Sequence, residues 1–264
     1  MAWTLYKVEL FKMVKRPAAR ITVLVFVILV IYSSASTYYN NRAIENVYFG
    51  FPNAWDYIFG LIARPVSMFS SVIVILLIAN EFDWKTSRQN IIDGVAKNQW
   101  FIAKVLLLPT IVLLIYIPLL SYDITLAWLA TDPAIEHAFE IGLTQYLAFT
   151  GTLIGVLGYT SIALLFSMAT RSAGAAMGIT VVYPLVEELI TKTLRGLDYE
   201  RLADCFPARV ISDLFNYSQY FPVGSRRRSW TVTEWDTSLL FAAGIGWILV
   251  FLILSWLVYN KRDL

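Results

Sequence analysis

The chain has 264 residues, 58% of them hydrophobic and only 15% charged, against about 25% charged residues in a soluble domain. A net charge of +2 is too small to favour nucleic acid as a partner, and the single cysteine, Cys205, forbids an internal disulfide. One histidine, His137, excludes most His-based catalytic and metal sites.

Residues 1–20 precede the first long apolar run. Trp3, Tyr6, Leu10 and Val14 recur at helical spacing, while Lys7, Lys12, Lys15 and Arg16 gather toward the other side. This pattern predicts an amphipathic interfacial helix, its basic side favoured by anionic lipids. A basic flank that merely orients the first span is the alternative. Pro17 predicts a break before the membrane. The same start has the outline of a secretory signal, with Ser34-Ala35-Ser36 as a small-residue site, and that reading competes with a retained first span.

A spanning helix needs roughly 20 apolar residues. Runs that qualify or nearly do cover 21–39, 59–79, 101–122, 143–169, 174–190 and 238–259; the fifth is short and contains Pro184. The predicted fold class is an all-α polytopic membrane protein, six transmembrane helices in one domain over 1–264. Closed strand barrels lack such runs.

Between spans two and three lies a polar link, 80–104. Glu81, Phe82, Asp83 and Trp84 leave the membrane, Asp93-Gly94 turns the chain, and Lys97 to Lys104 leads back. Ile91 and Ile92 with Trp84 predict a small apolar knob ringed by charge, the composition of a docking surface rather than a solvated turn. In spans four and five, Gly151 with Gly155 and Gly174 with Gly178 fit the small-xxx-small spacing that lets helices approach. Close packing within one subunit is the preferred reading, a subunit interface the alternative. The segment 191–237 is too long for a plain loop, and its apolar spacing predicts one or two short helices dipping back toward the bilayer.

Lys and Arg mark the cytosolic side of short loops. Lys7, Lys12, Lys15, Arg16 and Arg20, the link residues Lys85, Arg88, Lys97 and Lys104, then Arg171, and finally Lys261 and Arg262 all share one side if both termini are cytosolic. The outer link 123–142 then carries Asp123, Asp132, Glu136 and Glu140 without Lys or Arg. Arg226-Arg227-Arg228 in the outer segment dissents, and a fifth span that re-enters rather than crosses would explain it.

Chemistry-bearing motifs are few. The chain has no Gly-x-x-x-x-Gly-Lys-Ser/Thr loop to cradle ATP phosphates, no Gly-x-Gly-x-x-Gly run and no His-Glu-x-x-His. Glu187-Glu188 followed by Lys192 and Arg195 nearly matches the Glu-Glu-x-x-x-Arg motif of prenyl-protease-like intramembrane proteases, but Lys192 replaces the Arg and the histidines are missing. A Glu188–Lys192 helix pair is the plainer reading, and a charged outer gate is a third. Arg64, about a turn inside the outer end of span two, either snorkels to headgroups or lines a substrate path. Asp132, Glu136, His137 and Glu140 form an acidic outer group that reads as a solvated face rather than a metal site.

The link resembles that of ABC-type-2 exporter permeases. The matching residues are Glu81, Lys85-Thr86, Arg88, Ile91-Ile92 with Gly94, and Lys97 with Lys104; Lys85 stands where glycine is common. Val8-Glu9-Leu10-Phe11-Lys12, the Arg171-Ser172 link and the terminal Lys261-Arg262-Asp263-Leu264 extend the resemblance over the whole chain in outline. It implies a permease that binds no cofactor itself and works with two ATPase subunits, which hold the ATP and Mg. A second permease copy would complete the path in a prokaryotic plasma membrane, the inner membrane in a Gram-negative cell. The coupling residues it implies are Glu81, Asp83, Trp84, Lys85, Thr86, Arg88, Ile91, Ile92 and Gly94, with Glu81, Asp83 and Arg88 as rim charges around the apolar anchors. Arg64, Glu187 and Glu188 are the candidate pathway residues, and an amphipathic substrate suits the broad apolar spans. A stand-alone secondary transporter or channel is the rival class, disfavoured because no internal repeat and almost no mid-membrane charge is visible.

Overall fold

The computed structural model describes residues 2–43, 50–84, 86–132, 139–217 and 236–261. Among them the chain is all-helical, and six helices are long and apolar enough to cross a membrane, as expected of a polytopic membrane protein. In order, the helices among the described residues are α1 (Ala2–Lys15), α2 (Pro17–Ala43), α3 (Trp55–Asp83), α4 (Thr86–Ile92), α5 (Lys97–Ala130), α6 (Leu143–Thr170), α7 (Ala173–Gly196), α8 (Glu200–Asp204), α9 (Pro207–Phe215) and α10 (Thr237–Lys261). The six long ones are α2, α3, α5, α6, α7 and α10. The chain breaks where Pro17 predicts it, because the pyrrolidine ring disfavours helical backbone in the residue before it.

Helices α3 and α6 share the most extensive interface and form the centre; α5 and α2 pack outside α3, while α10 and α9 pack outside α6. Helix α9 explains the glycines of α6. A Cβ on Gly155 would lie 2.6 Å from the Phe215 ring, and one on Gly151 or Gly158 would press on Phe241 or Ile211 at 3.2 Å. These glycines let α9, and at Gly151 also Phe241 of α10, sink against α6 inside one chain, as the packing reading expects. Gly174 and Gly178 differ, since nothing lies within 4 Å of a Cβ there. The segment 191–237 contains two short helices among its described residues, and α9 docks on the bundle; 218–235, with Arg226-Arg227-Arg228, falls outside the described residues.

Helix α7 runs unbroken through Pro184. Proline has no N–H for the carbonyl one turn back, and that carbonyl, on Thr180, accepts the Tyr159 hydroxyl at 2.9 Å instead. With 24 residues, α7 is about 36 Å long, enough to cross the hydrocarbon. The predicted outer link from Asp123 is corrected. Helix α5 continues through Asp123 to Ala130, and Asp123 is fully buried rather than in a loop. Ile124, Leu126 and Ala130 pack on the core and carry the helix past the carboxylate.

Candidate functional site

The polar link, the N-terminal helix and the ends of four other elements meet at one end of the bundle. Their meeting point is a buried ionic cluster. Glu81 lies in the last turn of α3, where a carboxylate opposes the negative end of the helix dipole and needs cations nearby. It is fully buried and has three. Lys104 Nζ on α5 lies 2.9 Å away, an ion contact outside hydrogen-bond angles, and Lys12 and Arg16 each lie at 3.4 Å. Glu9 on α1 pairs with Lys104 and, at 2.8 Å, with Lys12. Arg16 also donates to the Leu77 carbonyl at 3.0 Å. Three cations thus face two carboxylates.

The buried charges are tenable because each is paired. Burial disfavours the charged form of Glu9, yet the Lys104 charge and hydrogen bonds from Lys104 and Lys12 outweigh it and hold the carboxyl below its ordinary 4.5. Burial likewise disfavours charged Lys12, but the Glu81 charge and the Glu9 hydrogen bond raise it above its ordinary 10.5.

Aromatic rings surround the charges. Lys104 stands 5.0 Å over the Trp100 ring and Arg16 lies 5.6 Å from Trp84. Trp100 stacks on Tyr259 of α10 at 4.8 Å, and Arg171, from the tight turn between α6 and α7, lies 5.3 Å over Phe82. Arg171 holds φ at 54° to make that turn, a left-handed geometry that costs a non-glycine residue roughly 1–2 kcal/mol. The N-terminal helix, the polar link, the Arg171 turn and the last turns of α10 therefore share one end of the molecule.

This placement corrects two expectations. Glu81 is no rim charge; it lies at the centre of the cluster. The basic side of α1 does not simply face headgroups either, because Lys12 and Arg16 turn inward to Glu81. Trp3, Phe11 and Val14 are exposed instead, with Lys7 and Lys15 folded over Trp3 and Phe11. Tyr6 anchors the inner face through its hydroxyl, 2.7 Å from Thr110 Oγ1 on α5.

Helix α4 hangs just beyond the cluster, its Thr86 hydroxyl donating to the Glu81 carbonyl at 3.3 Å. Ser87 is buried and Ile91 packs against the core, so the expected knob divides. Trp84 and Ile92 project, 63% and 69% exposed, and Asp83 beside them is exposed as a rim charge would be. Gly94 ends the segment with φ at 94°, a backbone geometry that favours glycine, and its N–H bonds the Ile91 carbonyl at 3.0 Å. Arg88 belongs to α4; Lys85 falls outside the described residues.

The other candidates do not converge. Arg64 is exposed, nine residues into α3 rather than a turn from its end, because α3 starts at Trp55. Its guanidinium reaches Asn216 at 3.5 Å, at the far end of α9 from Glu187. Glu187 is buried and accepts the Arg209 N–H at 3.0 Å. It caps the start of α9, where Phe206 has no side chain able to do so. Glu188 pairs with Lys192 at 2.7 Å on the surface, the plainer reading of that motif. Glu136 and His137 fall outside the described residues; among those described, no three His, Cys, Asp or Glu side chains could hold a metal.

Sequence reasoning missed Glu9 and Lys104 as a pair. Each had a signal: a lone acid in a basic helix, and a lysine inside an apolar stretch. Their pairing depends on α1 lying against α5, which neither segment encodes locally. No protein-family model matches the chain, and no curated protein matches it.

Proposed function

We propose that this chain is the membrane-spanning permease subunit of an ABC-type-2 exporter. The observation that supports the reading is the ionic cluster, which fastens the approach to α4 to α1 and α5. A short helix that bears an exposed Ile92, with an exposed Trp84 at the end of α3 beside it and buried charge at its root, suits the reception of force from a partner. In this reading the cluster lies at the cytosolic end, where Lys and Arg concentrate. Trp84 and Ile92 enter a groove of an ATPase subunit, and two such subunits bind and hydrolyse ATP with Mg. A second copy of the chain completes the path, and an amphipathic substrate leaves across a prokaryotic plasma membrane. Arg64, Glu187 and Glu188 are the pathway candidates of this reading, Glu187 also capping α9 and Glu188 also pairing with Lys192.

The test is co-expression with a candidate ABC ATPase subunit, an ATPase gene adjacent to this chain's being the first choice where one is found. Ile92→Asp combined with Trp84→Ala should weaken co-purification at least about tenfold and abolish ATP-driven transport, because exposed aromatic and aliphatic anchors dominate such contacts. Intact assembly and transport in that variant would overturn the reading. Transport by the chain alone, driven by an ion gradient in proteoliposomes, would favour the secondary transporter.

A further inference from the structure

At the other end of the bundle, a cavity of about 190 Å³ opens between α2, α3 and α5. Leu29, Leu61 and Phe69 form apolar walls, and Ser34 and Asp123 also line it. Asp123 is 0% exposed and Ser34 1%. The Ser34 hydroxyl interacts with the Asp123 carboxyl, but outside good hydrogen-bond geometry, so neither group is satisfied by the described residues. Pro65 lines the cavity too, and it has no N–H to give the Leu61 carbonyl one turn back. A buried carboxyl group with one poorly aligned hydroxyl beside it is undercompensated for its lost hydration, so an occupant that supplies donors has much to gain.

The shape and chemistry restrict that occupant. The cavity greatly exceeds the roughly 30 Å³ share of one water molecule. Its polar end is rich in acceptors, and its walls are hydrocarbon. A primary ammonium brings three N–H donors and a positive charge, and an attached alkyl chain matches the walls. Asp123 lies nineteen residues beyond Lys104 on α5, which places the two about 28 Å apart, close to the hydrocarbon thickness of roughly 30 Å. The cavity therefore lies near the opposite membrane boundary, where amphiphile heads reside. We propose that the Asp123–Ser34 cavity is a binding site for the primary ammonium head of an amphiphile. The site stands whether or not the chain couples to an ATPase.

The probes are octylammonium, octyltrimethylammonium and octanol, titrated against the full chain in neutral detergent with thermal unfolding as readout. Octylammonium should bind at least about tenfold more tightly than either analogue, because only it offers charge and N–H donors together. Asp123→Asn should remove that preference, and Leu61→Trp, which fills the cavity without touching the carboxyl, should abolish binding. Equal binding of octylammonium and octanol to the unaltered chain overturns the proposal, whatever the variants do. So does a preference that survives in a folded Asp123→Asn chain, or binding that survives Leu61→Trp. In nanodiscs of mixed ethanolamine and choline lipids, mass spectrometry of retained lipid separates the sources. Ethanolamine lipid enriched on the unaltered chain but not on Asp123→Asn supports a membrane lipid; no enrichment alongside octylammonium binding supports a free amphipathic amine.

Discussion

Replacing Lys104 with methionine removes the one cation of the cluster that is wholly buried. Its side chain is 0% exposed, against 31% for Lys12 and 17% for Arg16. Methionine nearly keeps the volume, so the loss is electrostatic: the pair with Glu9, the 2.9 Å contact with Glu81 and the position over Trp100. Taking one partner from a buried pair costs about 3–5 kcal/mol. Lys12 and Arg16 remain beside Glu81, but Glu9 keeps only Lys12, so about 3 kcal/mol is expected, at the lower end of that range. Unfolding in mixed micelles, followed by tryptophan fluorescence, measures it in the unaltered chain, Lys104→Met, Glu9→Gln and the double variant. The double variant should cost less than the two singles together by at least about 1 kcal/mol, because each single strands the other's charge. A Lys104→Met cost within about 0.5 kcal/mol of zero, or additivity within that margin, refutes the cluster.

The depressed Glu9 carboxyl contributes stability that is full above its ordinary 4.5 and lost as pH falls through its lowered value. The stability gap between the unaltered chain and Glu9→Gln should therefore be flat near neutrality and close in acid; a gap unchanged down to about pH 3 contradicts the assignment. Lys12 has the opposite sign. Its contribution is full below 10.5 and lost as pH rises through its raised value, so the gap to Lys12→Met should shrink only at the alkaline end of the same titration. Gly155→Ala puts a methyl 2.6 Å from Phe215 and should cost about 1–3 kcal/mol in thermal unfolding, whereas Gly178→Ala, facing open space, should be neutral or slightly stabilising. Ile91→Asp should destabilise the chain by about 1–3 kcal/mol and Ile92→Asp by no more than about 0.5, since only Ile91 packs against the core; equal costs would refute the division of the knob.

Spans were legible because a membrane imposes a local rule, a run of apolar residues of set length. The break at Pro17 and the turn at Gly94 were legible for a similar reason, since proline and glycine act on their own backbone. The end of α5 was misread at Asp123 because a carboxylate looks like a boundary when its burial is unknown. The inward turn of Lys12 and Arg16 was hidden by the helical pattern itself: both lie on a basic side that suits headgroups equally well. What decides between the two destinations is Glu81, which lies 65 residues beyond Arg16. The glycines of α6 were legible as a close-packing face, but their partner, α9, was not, because small residues announce an approach without naming who approaches.

Helix α5 carries both buried charge centres, and they are resolved differently. Lys104 has two carboxylates and a tryptophan ring within reach, all supplied by the same chain. Folding alone can pay that desolvation cost, which makes the cluster a mechanical joint between α1, α3 and α5. Asp123 has only the poorly aligned Ser34 hydroxyl beside it among the described residues, and it borders a cavity. Both sites ask the same physical question, which is what compensates a charge removed from water. The first answers it with its own residues. The second is complete only when something else supplies the donor, and that difference separates a joint from a binding site on the same helix.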